Sequence, residues 1–167
     1  MSRLENTKKQ FSWKWTIVII LVIAVIGTYF IMKAKPPIQV NTIVSNEDKT
    51  MVVVGVGNTG FMSLKVKDVL VNNEEQPAEA TIQIAQATQG FTVTEDRASA
   101  AAEGYQFAPI NQYIKVGTME YTYDQDGLPI EGAEIYGVNI VHDETIQKVT
   151  IIYSHFGMKY EETVELN

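Results

Sequence analysis

Between Lys14 and Lys33 the chain runs for 18 residues, WTIVIILVIAVIGTYFIM from Trp15 to Met32, without a charged side chain. As a helix rising about 1.5 Å per residue this run is roughly 27 Å long, close to a hydrocarbon core of about 30 Å. It is rich in β-branched residues, from Ile17 to Ile20 and at Val22, Ile23, Val25 and Ile26. In water that content would favour a strand. In lipid every backbone amide must be satisfied within the segment, which imposes a helix. A core helix of a soluble protein would carry a polar stripe, and the run has none.

The flanks fit the interfaces of a bilayer. Trp13, Trp15 and Tyr29 lie near the two ends, where amphipathic rings prefer the headgroup layer, and Lys14 and Lys33 have stems long enough to reach it. These five residues are the predicted membrane-interface anchors. Arg3, Lys8, Lys9 and Lys14 precede the run, against Lys33 and Lys35 after it, so the short tail 1–14 is expected on the cytoplasmic side. A cut after Gly27 would fall inside the apolar run, which favours an uncleaved signal anchor over 15–32. With no cysteine in the chain, a lipidated-cysteine anchor is excluded, as is any disulfide.

Charge divides at the same place. Residues 1–37 carry six basic side chains and one acidic, a balance of +5, whereas 38–167 carry seven and 19, a balance of -12. A C-terminal part so acidic, without a stripe of Lys or Arg, is not expected to bind nucleic acid. Pro36 and Pro37 close a spacer over 33–37, since neither continues a helix.

Beyond the spacer the pattern is that of strands. They are expected at 38–45, 50–57, 62–72, 80–86, 90–94, 118–124, 135–141, 146–154 and 158–166, separated by turn residues. Alternation assigns Met119, Tyr121 and Tyr123, then Val149, Ile151 and Tyr153, then Met158, Tyr160, Val164 and Leu166 to buried faces. Glu162 falls on the apolar side of its strand and breaks the rule. The turns fit antiparallel pairing: His155-Phe156-Gly157 is expected to join the last two strands as a hairpin, Asn58-Thr59-Gly60 to join the second and third, and Asp126-Gly127 to end the Tyr-rich strand. Thr94 to Gly104 reads as one short helix capped by Thr94 and crossing between sheets, with Tyr105, Phe107 and Ile110 pinning the loop after it. Together these elements predict a mainly β protein, an N-terminal transmembrane helix followed by an antiparallel β-sandwich over 38–167 with one short crossover helix.

At VVVGVGNTGFMSLKVKDVLV and again at KVTIIYSHFGMKYEETVEL the chain resembles immunoglobulin-like and fibronectin-like β-sandwich modules of bacterial cell surfaces. The likeness is one of fold and covers about half of the C-terminal part. An anchor followed by an acidic, cysteine-free domain is also similar to small envelope proteins of Gram-positive bacteria. The resemblance implies a module that binds, spaces or scaffolds rather than catalyses.

The residues that carry chemistry elsewhere do not assemble into a motif here. His142-Asp143-Glu144 places three ligand types in a row, but neighbours on a turn point apart, so a polar turn is expected. Asp124-Gln125-Asp126-Gly127 fails the calcium-loop template, because its first and twelfth positions would be Thr122 and Ala133. Gly55 and Gly57 open no dinucleotide loop. Ser45, Ser63, Ser99 and Ser154 stand in no G-x-S-x-G setting. Glu74-Glu75 and Glu161-Glu162 are sequence neighbours that, on strands, would face opposite ways. The leader arrangement of pilins is missing.

No catalytic, cofactor-binding or metal-binding residue is therefore assigned, and no enzymatic activity is expected. The leading expectation is a non-catalytic interaction module, held in the lipid bilayer by 15–32 and meeting an envelope protein or polymer outside the cytoplasm. The alternative is a small-ligand or cation sensor whose acidic loops 124–134 and 142–144 close over a bound species, and an envelope enzyme ranks behind both. Partner identity and oligomeric state are not encoded in any motif.

Overall fold

The computed structural model describes residues 13–111, 113–114, 126, 128 and 130–166. The chain divides into two compact units, one up to Pro36 and one from Pro37 onward.

The first unit is a helix, α1 (Trp13–Ala34), which extends two residues past the uncharged run at each end. Its stretch Trp13–Ile31 has a mean hydropathy of 2.2, and none of it is buried. It is long and apolar enough to cross a membrane. Thr28 returns its hydroxyl to the Ala24 carbonyl at 2.8 Å, which removes one polar group from the exposed surface.

The second unit is mainly antiparallel β. Among its described residues are nine strands: β1 (Ile38–Ser45), β2 (Met51–Asn58), β3 (Leu64–Val71), β4 (Glu79–Gln86), β5 (Gln106–Pro109), β6 (Tyr113–Ile114), β7 (Glu134–Val141), β8 (Lys148–His155) and β9 (Met158–Glu165). They form a five-stranded sheet in the order β1-β2-β7-β4-β5 and a four-stranded sheet in the order β6-β3-β8-β9. Val52, Val54 and Val56 of β2 and Val138 and Ile140 of β7 belong to the same apolar cluster as Val66 and Val69 of β3 and Ile151 and Tyr153 of β8. The two sheets thus share one core, an arrangement compatible with a β-sandwich.

Period-2 alternation worked as expected in β8 and β9. Val149, Ile151 and Tyr153 are buried, and in β9 Met158, Tyr160, Glu162, Val164 and Leu166 are more enclosed than Lys159, Glu161, Thr163 and Glu165. The Phe156-Gly157 turn joins these strands, with φ of 54° and 76° at its two residues, the twist a two-residue hairpin requires. β1 lies at a sheet edge, and its register slips between Val40 and Ile43, a bulge that blunts an otherwise pairable edge.

Four expectations are corrected. Residues 90–94 form no strand. The side chain of Gln83 takes the place of a strand partner, donating from Nε2 to the Thr92 carbonyl at 2.9 Å and accepting from the Thr92 amide at 3.2 Å. The helix α2 (Arg97–Ala102) does not cross between sheets, because β4 and β5 on either side of it are neighbours in the same sheet. Its cap is Asp96, which accepts from the Ser99 amide at 3.0 Å, while Thr94 accepts from the Asp96 amide. The Asn58-Thr59-Gly60 turn links strands of different sheets and makes no hairpin. The strand expected at 118–124 lies outside the described residues, as does most of the loop 124–127.

Outside the shared core, the far face of the five-stranded sheet carries a second packing device. Gly55 and Gly137 are direct cross-strand partners, and the ring of Phe91 lies over both. A Cβ built on Gly55 would come within 2.8 Å of Phe91, and one on Gly137 within 2.9 Å. Two glycines in adjacent strands make a trough that seats an aromatic ring delivered by the loop after β4.

Candidate functional site

The strands define two ends of the β unit. At one end are Pro37 and Ile38, the close of β2, the start of β3 and the β8–β9 turn. At the other are the β1–β2 turn, the residues after β3, the β7–β8 loop and the close of β9. An eight-residue strand separates the two by about 23 Å.

The far end holds an open cleft of about 1110 Å³. Lys49 and Thr50 form one side, Asn72, Asn73 and Glu75 another, and Asp143, Glu144, Thr145 and Gln147 a third; Lys148 and its cross-strand partner Glu165 complete the rim. Four carboxylates against two ammonium groups make the lining acidic. Its loops are held by hydrogen bonds that run between them. Asn72 donates from its side chain to the Thr145 carbonyl at 3.1 Å and accepts from the Gln147 amide at 2.8 Å. The Ile146 amide donates to Lys49 and the His142 amide to Thr50. Asn72 reaches both partners from a left-handed backbone, φ 47°, which asparagine tolerates better than most residues.

His142 sits behind this cleft with its side chain 11% exposed, Nε2 3.7 Å from Glu75 Oε2. Neither ring nitrogen makes a hydrogen bond. Asp143 and Glu144 are exposed on the loop, so the three consecutive residues diverge as their spacing implied. Among the described residues, no group of three or more His, Asp or Glu is placed to hold a metal ion.

The remaining candidates are dispersed. His155 is buried at the opposite end, with its ring edge-on to Phe61 at a centroid distance of 5.5 Å. Glu162 pairs with Ile151 in mid-strand. Glu161 is exposed and bonded to Lys159 at 3.2 Å, while Glu162 is half-buried on the other face. Near Glu162, Tyr153 stacks on Tyr160 at 5.4 Å, and burial, with a smaller contribution from the Glu162 charge, pushes the Tyr153 hydroxyl well above the ordinary tyrosine value. Glu74 lies in a turn, at φ 68°, and Glu75 in an isolated antiparallel bridge to Val71. Of the predicted interface anchors, Trp13, Lys14 and Trp15 fall in the first turn of α1 and Tyr29 and Lys33 in its last two turns, all exposed.

The sequence pointed to the acidic loop 142–144 but not to the cleft it lines, whose residues come from three loops and the ends of β8 and β9, nor to Phe61, Met62 and Phe156, which are exposed at the end nearest Pro37. For those three a signal was present: large apolar residues stand at the tips of turns, where polar ones are usual.

These features define a mainly β protein with two antiparallel sheets on a shared core, preceded by an apolar helix of membrane-spanning length. No protein-family profile, curated protein or solved structure matches the chain.

Proposed function

We propose that this chain is a single-pass membrane protein whose C-terminal part is an extracytoplasmic immunoglobulin-like module, acting without catalysis by contact with an envelope protein or polymer. The observation that carries this reading is the combination, three residues apart, of an unburied apolar helix and a β unit whose open cleft lies at the end away from Pro37. A binding face is most accessible to an external partner at the end farthest from the tether.

Strand order supports the immunoglobulin-like part of the proposal. With β1, β2, β3, β4, β7, β8 and β9 taken as strands A to G, the sheets read A-B-E-D and C-F-G, the constant-type order. Residues 87–133, with α2, β5 and β6, are then an insertion between D and E. The dispersal of His142, His155 and Glu162 supports a non-catalytic role.

A photo-crosslinking residue placed at Asn73 or Asp143 of the full chain in intact cells tests the binding role. One specific adduct from these positions, absent from the same residue at Lys67, is the expected result. Equal labelling at all three would contradict it.

A second reading, a cation or small-ligand sensor, is favoured by the four carboxylates at the cleft. It predicts that millimolar calcium or zinc raises the melting temperature. An unchanged melting temperature would remove it.

A further inference from the structure

We infer that the end of the β unit nearest Pro37 rests on the bilayer surface through an apolar patch formed by Phe61, Met62 and Phe156. The inference depends on the anchored reading above and adds an orientation to it.

The patch is built rather than incidental. Phe61, Met62 and Phe156 are 66%, 47% and 57% exposed, and they are half of the six large apolar side chains exposed among the described residues beyond α1. The Phe61 ring lies 5.7 Å from Phe156 and edge-on to buried His155. Beneath them Asn58, wholly buried, donates to the Met62 and Ile114 carbonyls and accepts from the Gly60 amide. The exposed rings are thus displayed by a turn that is itself fixed from inside.

What covers the patch follows from the length of chain beside it. The Thr59 amide and hydroxyl both donate to the Pro37 carbonyl, at 2.8 and 3.0 Å, and a Cβ on Gly60 would meet Pro37 at 2.8 Å. Phe61 is therefore adjacent to the residue at which the β unit begins. Between Ala34, the last residue of α1, and Ile38 stand three residues, so the chain reaches no more than about 14 Å. If α1 spans the bilayer, the turn bearing Phe61 and Met62 is confined to the headgroup layer or its edge. Exposed aromatic and thioether side chains there enter the acyl boundary to a depth of about 5–10 Å.

Charge favours the same orientation. Lys65 and Lys159, the latter paired with exposed Glu161, flank Ser154 as cross-strand partners, one residue from His155, and Lys35 lies in the spacer. The acidic side chains Glu47, Asp48, Glu74, Glu75, Asp143 and Glu144 gather at the opposite end. Seated on Phe61 and Phe156, the unit turns its basic end to anionic lipid and its acidic cleft outward.

The chain contains no cysteine, so single spin labels can be placed in the full protein. Ile23→Cys, Ser63→Cys and Glu144→Cys, each reconstituted into phosphatidylcholine–phosphatidylglycerol vesicles, report from α1, beside the intact patch, and from the cleft. The expected result is a label at 63 more accessible to oxygen than to a nickel chelate, shifted towards the value at 23, with the reverse at 144. Adding Phe61→Ser and Phe156→Asn should shift the label at 63 to the aqueous value; asparagine suits the positive φ at 156. A label at 63 that already matches 144, while 23 reads lipid, overturns the docking and leaves the anchor standing. A label at 23 that reads water overturns the anchored reading and this one with it. Dipolar broadening at 63 that vanishes on dilution with unlabelled chain shows a second copy covering the patch, and also overturns the proposal.

Discussion

Gly137 has no room for a methyl group, since its Cβ would sit 2.6 Å from Val53 Cγ1 and 2.9 Å from the Phe91 ring. Gly137→Ala is expected to destabilise the β unit by about 1–3 kcal/mol, the usual cost of overpacking, measured by denaturant unfolding. Tyr153 gives a pH dependence of definite sign. Its ionisation is pushed above the ordinary value of 10.0, chiefly by burial, so the neutral phenol's contribution is complete below about pH 10 and is lost as pH rises through the folded-state value. Melting curves should therefore decline at alkaline pH, and Tyr153→Phe should move that decline to higher pH. At this scale the sequence was partly legible. Val149, Ile151 and Tyr153 declared their burial through alternation, and Glu162 declared its anomaly. The role of Gly137 was not legible, because a glycine trough exists only once two strands pair and a distant ring drops onto them. Gln83 was hidden for a related reason: its side chain acts as a strand partner to Thr92, which no propensity encodes.

Elements were readable where their signals are local. β1 was expected at 38–45 and is found at Ile38–Ser45, and the hairpin at Phe156-Gly157 follows from a glycine between two alternating runs. Helix α2 was recognised by its alanines and closing glycine, but the cap was placed two residues early. Thr94 and Asp96 both offer an N-cap oxygen, and Asp96 offers a charged one that also accepts from the Ser99 hydroxyl at 2.7 Å. Those hydrogen bonds hold the Asp96 carboxyl below its ordinary value of 3.8. Its contribution is thus present above about pH 4 and lost as pH falls through the folded-state value. Asp96→Ala is expected to lower the melting temperature at neutral pH, with the difference from the wild-type chain shrinking as pH falls below the ordinary carboxylate range. Segment 90–94 looked like a strand because Phe91, Val93 and Thr92 have β propensity. Sheet membership is decided by what lies alongside, and β4 already pairs with β7 and β5. For the same reason the turn at Asn58–Gly60 joins the second and third strands as expected, but carries the chain from one sheet to the other instead of pairing them.

At the scale of the whole molecule, the change in charge and hydropathy near residue 37 coincides with the division into two units. Residues 37–167 should therefore fold alone, with a cooperative melt and a β-type circular dichroism spectrum; a fragment lacking a cooperative transition would show that the apolar segment contributes to the core. The cleft was illegible because Thr50, Asn72, Asp143 and Glu165 are brought together by topology, across some 115 residues of chain. Protease treatment of intact spheroplasts expressing the full chain with a tag at each terminus tests most directly the proposal of an anchored protein with its β unit outside the cytoplasm. The expected result is a membrane-associated protein whose C-terminal tag is removed while its N-terminal tag is protected. A C-terminal tag that survives until the membrane is permeabilised, or a chain released by alkaline carbonate, would contradict it.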